Sequence, residues 1–285
     1  MRAPFLNSDE HDRIFEDFER ENGFSAMPEV VSEVLYALQS SRTTMHEIGE
    51  IIKKDPGFST RIIQYANSGA YLAAVPPASI DQAVRVIGLG PLKGLCLGIP
   101  VFTRYKHVLG VREIWAHSRA TAICCQVLSN ALRFHEPDTA ETAGLLHDIG
   151  KVVLAVSAGN FFLSQVQIAD ASNRENDWRQ EKQILGFNHC FIGGWFARKF
   201  KMPPRLVDAL LWHHEFEKST YARDLACLCF IGDQIASAIG FSHPDYVFVD
   251  PDLPRALKHL AIDGDLFEKI LRQCLERVGK MVAYD

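Results

Sequence analysis

The 285-residue sequence predicts an all-α fold. Three observations carry that prediction. Helix-start and helix-stop residues recur from one end of the chain to the other. Apolar residues return at three- and four-residue steps. No run alternates apolar and polar residues in the way a strand ladder requires. Apolar residues make up 47% and charged residues 23%, the composition of a packed globular chain with room for one large domain or two smaller ones.

The elements follow in order. Val30, Val31, Val34, Leu35 and Leu38 form one helix face. Thr44-Met45-His46-Glu47 has the capping-box spacing ahead of Ile48, Ile51 and Ile52. Asp55-Pro56 offers an N-cap with proline in the first helical position, followed by Phe58, Ile62 and Ile63. Ser79-Ile80-Asp81-Gln82 reads as a second capping box, with a helix through Val86 and Ile87 that stops at Gly88. Further helices are expected over about 91–104, 112–134, 138–147, 160–170, 177–185, 189–200, 204–214 and 221–239, with two more near the C-terminus. The stretch Thr103–Val111 is the best candidate joint between an N-terminal lobe, residues 1–105, and a C-terminal one, residues 106–285.

Charge and composition exclude several classes. The formal net charge is −5 and the longest basic runs are pairs such as Lys53-Lys54, so the phosphate-neutralising stripe of a nucleic-acid binder is missing. No stretch approaches the ~18 uninterrupted apolar residues of a membrane helix. The start turns acidic by Asp9-Glu10, unlike a secretory signal. The seven cysteines (96, 124, 125, 190, 227, 229 and 274) lie in apolar runs without Cys-x-x-Cys spacing, as buried thiols of a reducing, cytoplasmic compartment do.

Histidines and aspartates gather at suggestive places in the C-terminal part. His117 lies in Trp115-Ala116-His117-Ser118, and His147-Asp148 in Leu145-Leu146-His147-Asp148-Ile149-Gly150-Lys151. His189 follows Gly186-Phe187-Asn188, His213-His214 closes Leu210-Leu211-Trp212, and Asp233 sits inside Phe230-Ile231-Gly232-Asp233-Gln234-Ile235. Imidazole and carboxylate together suit iron, manganese, zinc, cobalt or nickel, whereas calcium takes all-oxygen shells. An adjacent His-Asp pair can send two ligands to one ion and leave a carboxylate oxygen to bridge a second, at the ~3.5–4 Å separation of two-metal sites. Lys151, one turn beyond Asp148, is placed to meet a phosphate or bridging water. An aspartate in surroundings as apolar as those of Asp233 demands a partner. Each residue alone has an ordinary reading: a helix-end histidine, a helix C-terminus before Gly150, a paired buried carboxylate. Together they point to one shared site. His46, His107, His135, His243 and His259 match nothing and are read as surface or packing residues, and Phe161-Phe162 and Trp195-Phe196 as core.

At these residues the sequence resembles the HD superfamily of metal-dependent phosphohydrolases, whose pattern is a lone histidine, a His-Asp doublet and a distal aspartate. About residues 20–240 look like the HDOD family of bacterial signalling proteins. The signatures are Met27-Pro28-Glu29-Val30, Asp55-Pro56 with Arg61, Ala66-Asn67-Ser68, Ala83 through Val86-Ile87-Gly88-Leu89, Gly144 through Lys151, Gly186-Phe187-Asn188-His189 and His213-His214. The resemblance implies a two-lobed helical bundle, with the HD-type lobe second, and a regulatory or scaffold role in signal transduction. It also implies metal ligands at His117, His147, Asp148, His189, His213, His214 and Asp233, with Lys151 beside Asp148 in any catalysis. One or two divalent ions, Fe, Mn or Zn, follow from the donor types. Partners implied are other signalling proteins or a nucleotide-type ligand, with an oligomer open. Glu113, four residues before His117, is where three-metal members of the sister HD-GYP family carry a glutamate. That family continues after the His-His pair into Gly-Tyr-Pro, whereas this chain reads Phe216-Glu217-Lys218-Ser219-Thr220-Tyr221, which puts cyclic di-GMP hydrolysis in doubt. An active metal-dependent phosphohydrolase on a nucleotide-type substrate stands as the alternative function.

Overall fold

The computed structural model describes residues 28–40, 42–68, 71, 73, 75–157, 177–241 and 250–282. Five helices come first: α1 (Glu29–Ala37), α2 (Met45–Ile52), α3 (Pro56–Ala66), α4 (Ile80–Ile87) and α5 (Leu89–Arg104). Nine follow: α6 (Val111–Ala131), α7 (Pro137–Leu146), α8 (Ile149–Ser157), α9 (Asp177–Leu185), α10 (His189–Lys199), α11 (Pro204–Trp212), α12 (Arg223–Ala236), α13 (Leu253–His259) and α14 (Gly264–Val282). A 3-10 turn (Phe216–Lys218) precedes α12 and a π turn (Ser237–Phe241) extends it. The described residues contain no strand. The expected helix over 160–170, Phe161-Phe162, His243 and the first 27 residues lie outside the described residues.

Local chemistry sets the helix starts. Thr44 accepts from the Glu47 backbone N–H while the Glu47 carboxylate accepts from the Thr44 N–H, a complete capping box. Asp55 caps α3 ahead of Pro56. The second expected box is half made: Ser79 accepts from Gln82 N–H, but the Gln82 carboxamide turns one residue further back and accepts from Ala78 N–H. A glutamine side chain is long enough to reach that earlier donor. Gly88, at φ 81°, ends α4 and begins α5 at once, a left-handed conformation that favours glycine. Between α5 and α6 the chain turns over residues 105–110, within the expected joint.

Buried apolar residues from Val30 to Met281 form one continuous core. In it α6 packs against α7, α12 and α14, α10 packs against α8 and α11, and α5 joins α1 to α4 with α7. Arg223–Phe241 is the one described helical stretch with the length and hydropathy of a membrane span, and most of it is buried in this core; α4 and α5 pass the same test only as a pair bent by 111°.

Candidate metal centre

Three helix junctions and the interiors of two helices converge on one point in the core. His117 comes from the middle of α6 and Asp233 from α12. His147 and Asp148 occupy the two-residue turn between α7 and α8, His189 opens α10, and His213-His214 follow α11. The convergence depends on glycine at 150. A Cβ there would lie 2.0 Å from the His189 carbonyl oxygen, so any other residue would push the start of α8 off α10.

The hydrogen bonds fix which nitrogen of each ring faces inward. His117 Nδ1 donates to the Phe241 carbonyl (3.1 Å), which the π turn carries to it. His147 Nδ1 donates to the Gly144 carbonyl (2.8 Å) and His213 Nδ1 to that of Leu210 (2.9 Å). His189 Nδ1 donates to the Glu181 carboxylate (2.7 Å), which also accepts the His189 backbone N–H (2.7 Å). With every Nδ1 hydrogen committed outward, four Nε2 lone pairs converge. His117 and His147 bring theirs to 3.2 Å, and His189 and His213 to 3.3 Å. Neutral imidazoles at these distances would set lone pair against lone pair, a conflict that a proton or a metal ion among them would relieve.

The carboxylates complete the donor set. Asp233 Oδ1 lies 3.0 Å from His117 Nε2 and 3.8 Å from that of His147. Asp148 Oδ2 lies 3.3 Å from His147 Nε2 and 3.0 Å from Lys151 Nζ, while its Oδ1 lies 3.3 Å from His189 Nε2. That Oδ1 is buried and accepts no hydrogen bond. Asp148 thus faces both histidine pairs, one oxygen to each. All these donors are buried except His214, which is half-buried, stacked on Trp178 and set against the rings of His189 and His213.

The electrostatics show the same demand for positive charge. Burial opposes ionisation of both carboxyls, yet the neighbouring groups outweigh it: His147 and Lys151 hold Asp148 far below the usual range, and His117 does the same for Asp233. Burial also works against charging His147, but Asp148 raises it to about 9. His213 and His214 go the other way, lowered by burial and by the surrounding imidazoles. A bound divalent ion would supply the charge that the carboxylates otherwise draw as a proton.

Every candidate ligand read from the sequence reaches this cluster, and Lys151 stands half-buried at its rim. Glu113 is exposed on α6 and makes no hydrogen bond or ion pair among the described residues. His46, His107 and His135 are exposed, and His259 pairs with Asp224. Two participants escaped the sequence reading. Glu181 carries no motif; its acidic place in Arg179-Gln180-Glu181-Lys182 looks like a solvated helix face. Cys190 was read as an ordinary core thiol, and its Sγ lies 3.5 Å from His189 Nε2.

Fold and site together define an all-α protein with a buried histidine–carboxylate centre. Residues 24–216 match the HDOD domain family, and the chain belongs to it. Similar solved structures include an HDOD domain protein from Geobacter sulfurreducens (22% identity, TM-score 0.68, covering 96% of this chain and 93% of that one). Another is a provisionally named phosphohydrolase from Shewanella amazonensis (23%, TM-score 0.71, covering 94% and 97%). A third, provisionally named a signal transduction protein, is from Marinobacter aquaeolei (19%, TM-score 0.75, covering 99% and 66%). At these identities they speak for the fold. Among curated proteins, ribonuclease Y of Geobacter metallireducens is 28% identical over 158 residues, 55% of this chain and 24% of that protein. The chain spans about a quarter of the length of this relative and of its Geobacter sulfurreducens counterpart.

Proposed function

We propose that the chain is a signal-transduction module of the HDOD type, whose centre at His117, His147, Asp148, His189, His213, His214 and Asp233 holds one or two divalent ions. The observation that carries this reading is the facing of imidazole Nε2 atoms across 3.2 and 3.3 Å beside an Asp148 oxygen with no donor. Fe, Mn and Zn are the ions that such nitrogen and oxygen donors favour. Asp148 bridges the two histidine pairs. The burial of these donors supports a regulatory role, in which the ions lock three helix junctions and two helices into one arrangement.

A nucleotide-type ligand supplies the signal in this reading. A cavity of about 360 Å³ between α3, α5 and α6 is lined by Arg61, Lys106 and Arg112 with Tyr65 and Trp115, and no carboxylate among the described residues lines it. Cations suit the phosphates and aromatic rings suit the base. Arg112 and Trp115 lie about 140° and 160° around α6 from His117 at about 100° per residue, so one helix touches both places. Calorimetric titration with mono- and cyclic nucleotides is expected to give binding that Arg112→Glu weakens; equal binding by the variant would remove this cavity from the proposal.

The second reading, a phosphohydrolase, rests on Lys151. Its ammonium stands 3.0 Å from Asp148 Oδ2 at the accessible rim, where it would meet a phosphoryl oxygen. The match to proteins named ribonuclease Y, over about a quarter of their length, also favours it.

The deciding experiment is elemental analysis of the purified protein beside Asp148→Ala. One or two equivalents of metal in the wild type, almost all lost in the variant, is the expected result. No metal in a folded wild-type protein would sink the proposal. Metal-dependent turnover of a nucleotide, lost in Lys151→Ala with metal retained, would move the function to the hydrolase.

A further inference from the structure

The two halves of the proposed centre differ in one donor. Beside His189 and His213, the side chain of Cys190 points inward: its Sγ is 3.5 Å from His189 Nε2 and 3.9 Å from His213 Nε2. Ligand atoms of His189, Cys190, His213 and His214 all lie within 4.8 Å of one another. Cys190 is the second residue of α10, whose first turn is fixed by Asn188 accepting from Phe191 N–H. Glu181 anchors the ring and backbone of His189, so the thiol is held where it is by its neighbour's bonds.

The spacing is that of ligand atoms around one ion. For metal–nitrogen bonds of ~2.0–2.1 Å and a metal–sulfur bond of ~2.3 Å, a tetrahedral ion sets two nitrogens ~3.3–3.4 Å apart and nitrogen from sulfur ~3.6 Å apart. The observed edges are 3.3 Å between the two nitrogens, and 3.5 and 3.9 Å from them to sulfur. Asp148 Oδ1, the oxygen with no hydrogen bond, stands 3.3 Å from His189 Nε2, the edge a fourth oxygen ligand would show.

We infer that Cys190 is a metal ligand, and that the half-site of His189, Cys190 and His213, closed by Asp148 Oδ1 and edged by His214, is a thiolate site for a thiophilic divalent ion such as Zn²⁺ or Fe²⁺. The other half-site, His117, His147 and Asp233 with Asp148 Oδ2, offers nitrogen and oxygen only. The centre is therefore unsymmetrical: soft sulfur selects against Mn²⁺ and Mg²⁺ in one half and not in the other. Ion uptake displaces the Cys190 thiol proton to solvent and forms the metal–sulfur bond, with no change of oxidation state. This inference rests on the metal-centre reading above.

The test is to load the purified full chain with Co²⁺ and record its absorption, because a thiolate bound to Co²⁺ gives an intense near-ultraviolet charge-transfer band that nitrogen and oxygen ligands do not. The band is expected to grow with added Co²⁺ to one equivalent. It should vanish in Cys190→Ser and in Cys190→Ala, while Cys227→Ser, on the far side of α12 with its thiol on the Ala256 carbonyl, keeps it. Circular dichroism shows which variants are folded, and Co²⁺ retained by folded Cys190→Ser reports the other half-site. Cobalt bound by the wild type without the band, or a band that survives in Cys190→Ser, overturns the thiolate ligand and leaves the metal centre standing. A folded wild-type protein that takes up no cobalt overturns both.

Discussion

Helices α6 and α7 feed two buried polar clusters that are opposite in bonding. In one, Glu141 of α7 accepts from the Tyr71 hydroxyl and from Gln126 Nε2 of α6 (2.6 Å), and Arg277 of α14 donates to the Gln126 oxygen. Each acceptor there has a donor. In the other, His117 of α6 meets the His147-Asp148 turn that ends α7, and imidazole nitrogens face one another around a carboxylate oxygen without a donor. The first cluster is complete as it stands and ties the N-terminal segment to α7 and α14. The second leaves a buried Asp148 oxygen without a donor among facing imidazoles. Buried charge alone does not mark a site; unsatisfied, convergent acceptors do.

The largest expected effect within this comparison is on the pH dependence of stability, and it belongs to Glu141. Burial raises its carboxyl to about 7 from an ordinary 4.5, against the lowering by Tyr71 and Gln126. Below about pH 4.5 the group is neutral in both states and costs nothing. Between 4.5 and 7 the unfolded chain ionises while the folded one resists, so stability falls as pH rises, by about 3 kcal/mol in all. Above 7 both states are ionised and the loss is complete. Glu141→Gln keeps the shape and removes the titration, so urea unfolding of the variant should lack this slope, with metal content unchanged. A variant that retains the wild-type slope would assign the pH dependence to other groups.

Next in size is Glu181→Gln. The carboxylate orients His189, and loss of such a partner costs about 10–100-fold in metal affinity. The loss should fall on the half-site of His189 and His213 and spare that of His117 and His147. Competition with a chromophoric chelator, which resolves two steps, measures it. Equal weakening of both steps would mean that the ions cannot be separated and that the centre behaves as one unit.

Much of this was legible in the residues. Capping chemistry is local, so Thr44, Asp55 and Gly88 declare their helix ends within four residues. The convergence of the candidate ligands was legible because histidine and aspartate in apolar runs are costly without a common purpose. Where reading failed, the cause was distance. Glu181 is aligned with His189 by the packing of α9 on α10, which no local pattern reports. Cys190 looked like one more buried thiol among seven, and burial is correct for it. Its direction, set by the first turn of α10, is a three-dimensional fact. The helix expected over 221–239 gave way at Ser237 to a π turn, and that widened turn is what delivers the Phe241 carbonyl to His117.

The smallest effect tests whether the N-terminal helices act on the centre at all. Thr44→Ala removes the hydroxyl that accepts from Glu47 N–H and partners its carboxylate, which should cost about 1 kcal/mol of unfolding free energy. Helix α2 packs against α1, α3 and α4, and its route to the histidines runs through α4 and α5 to α7. A purely local cap therefore predicts a lower urea midpoint with metal affinity unchanged. If chelator competition instead shows weaker metal binding in Thr44→Ala, loosening α2 reaches the turn that carries His147 and Asp148. That outcome would make the N-terminal helices the lever of a signalling module, and the single continuous core, from Val30 to Met281, the path by which it moves.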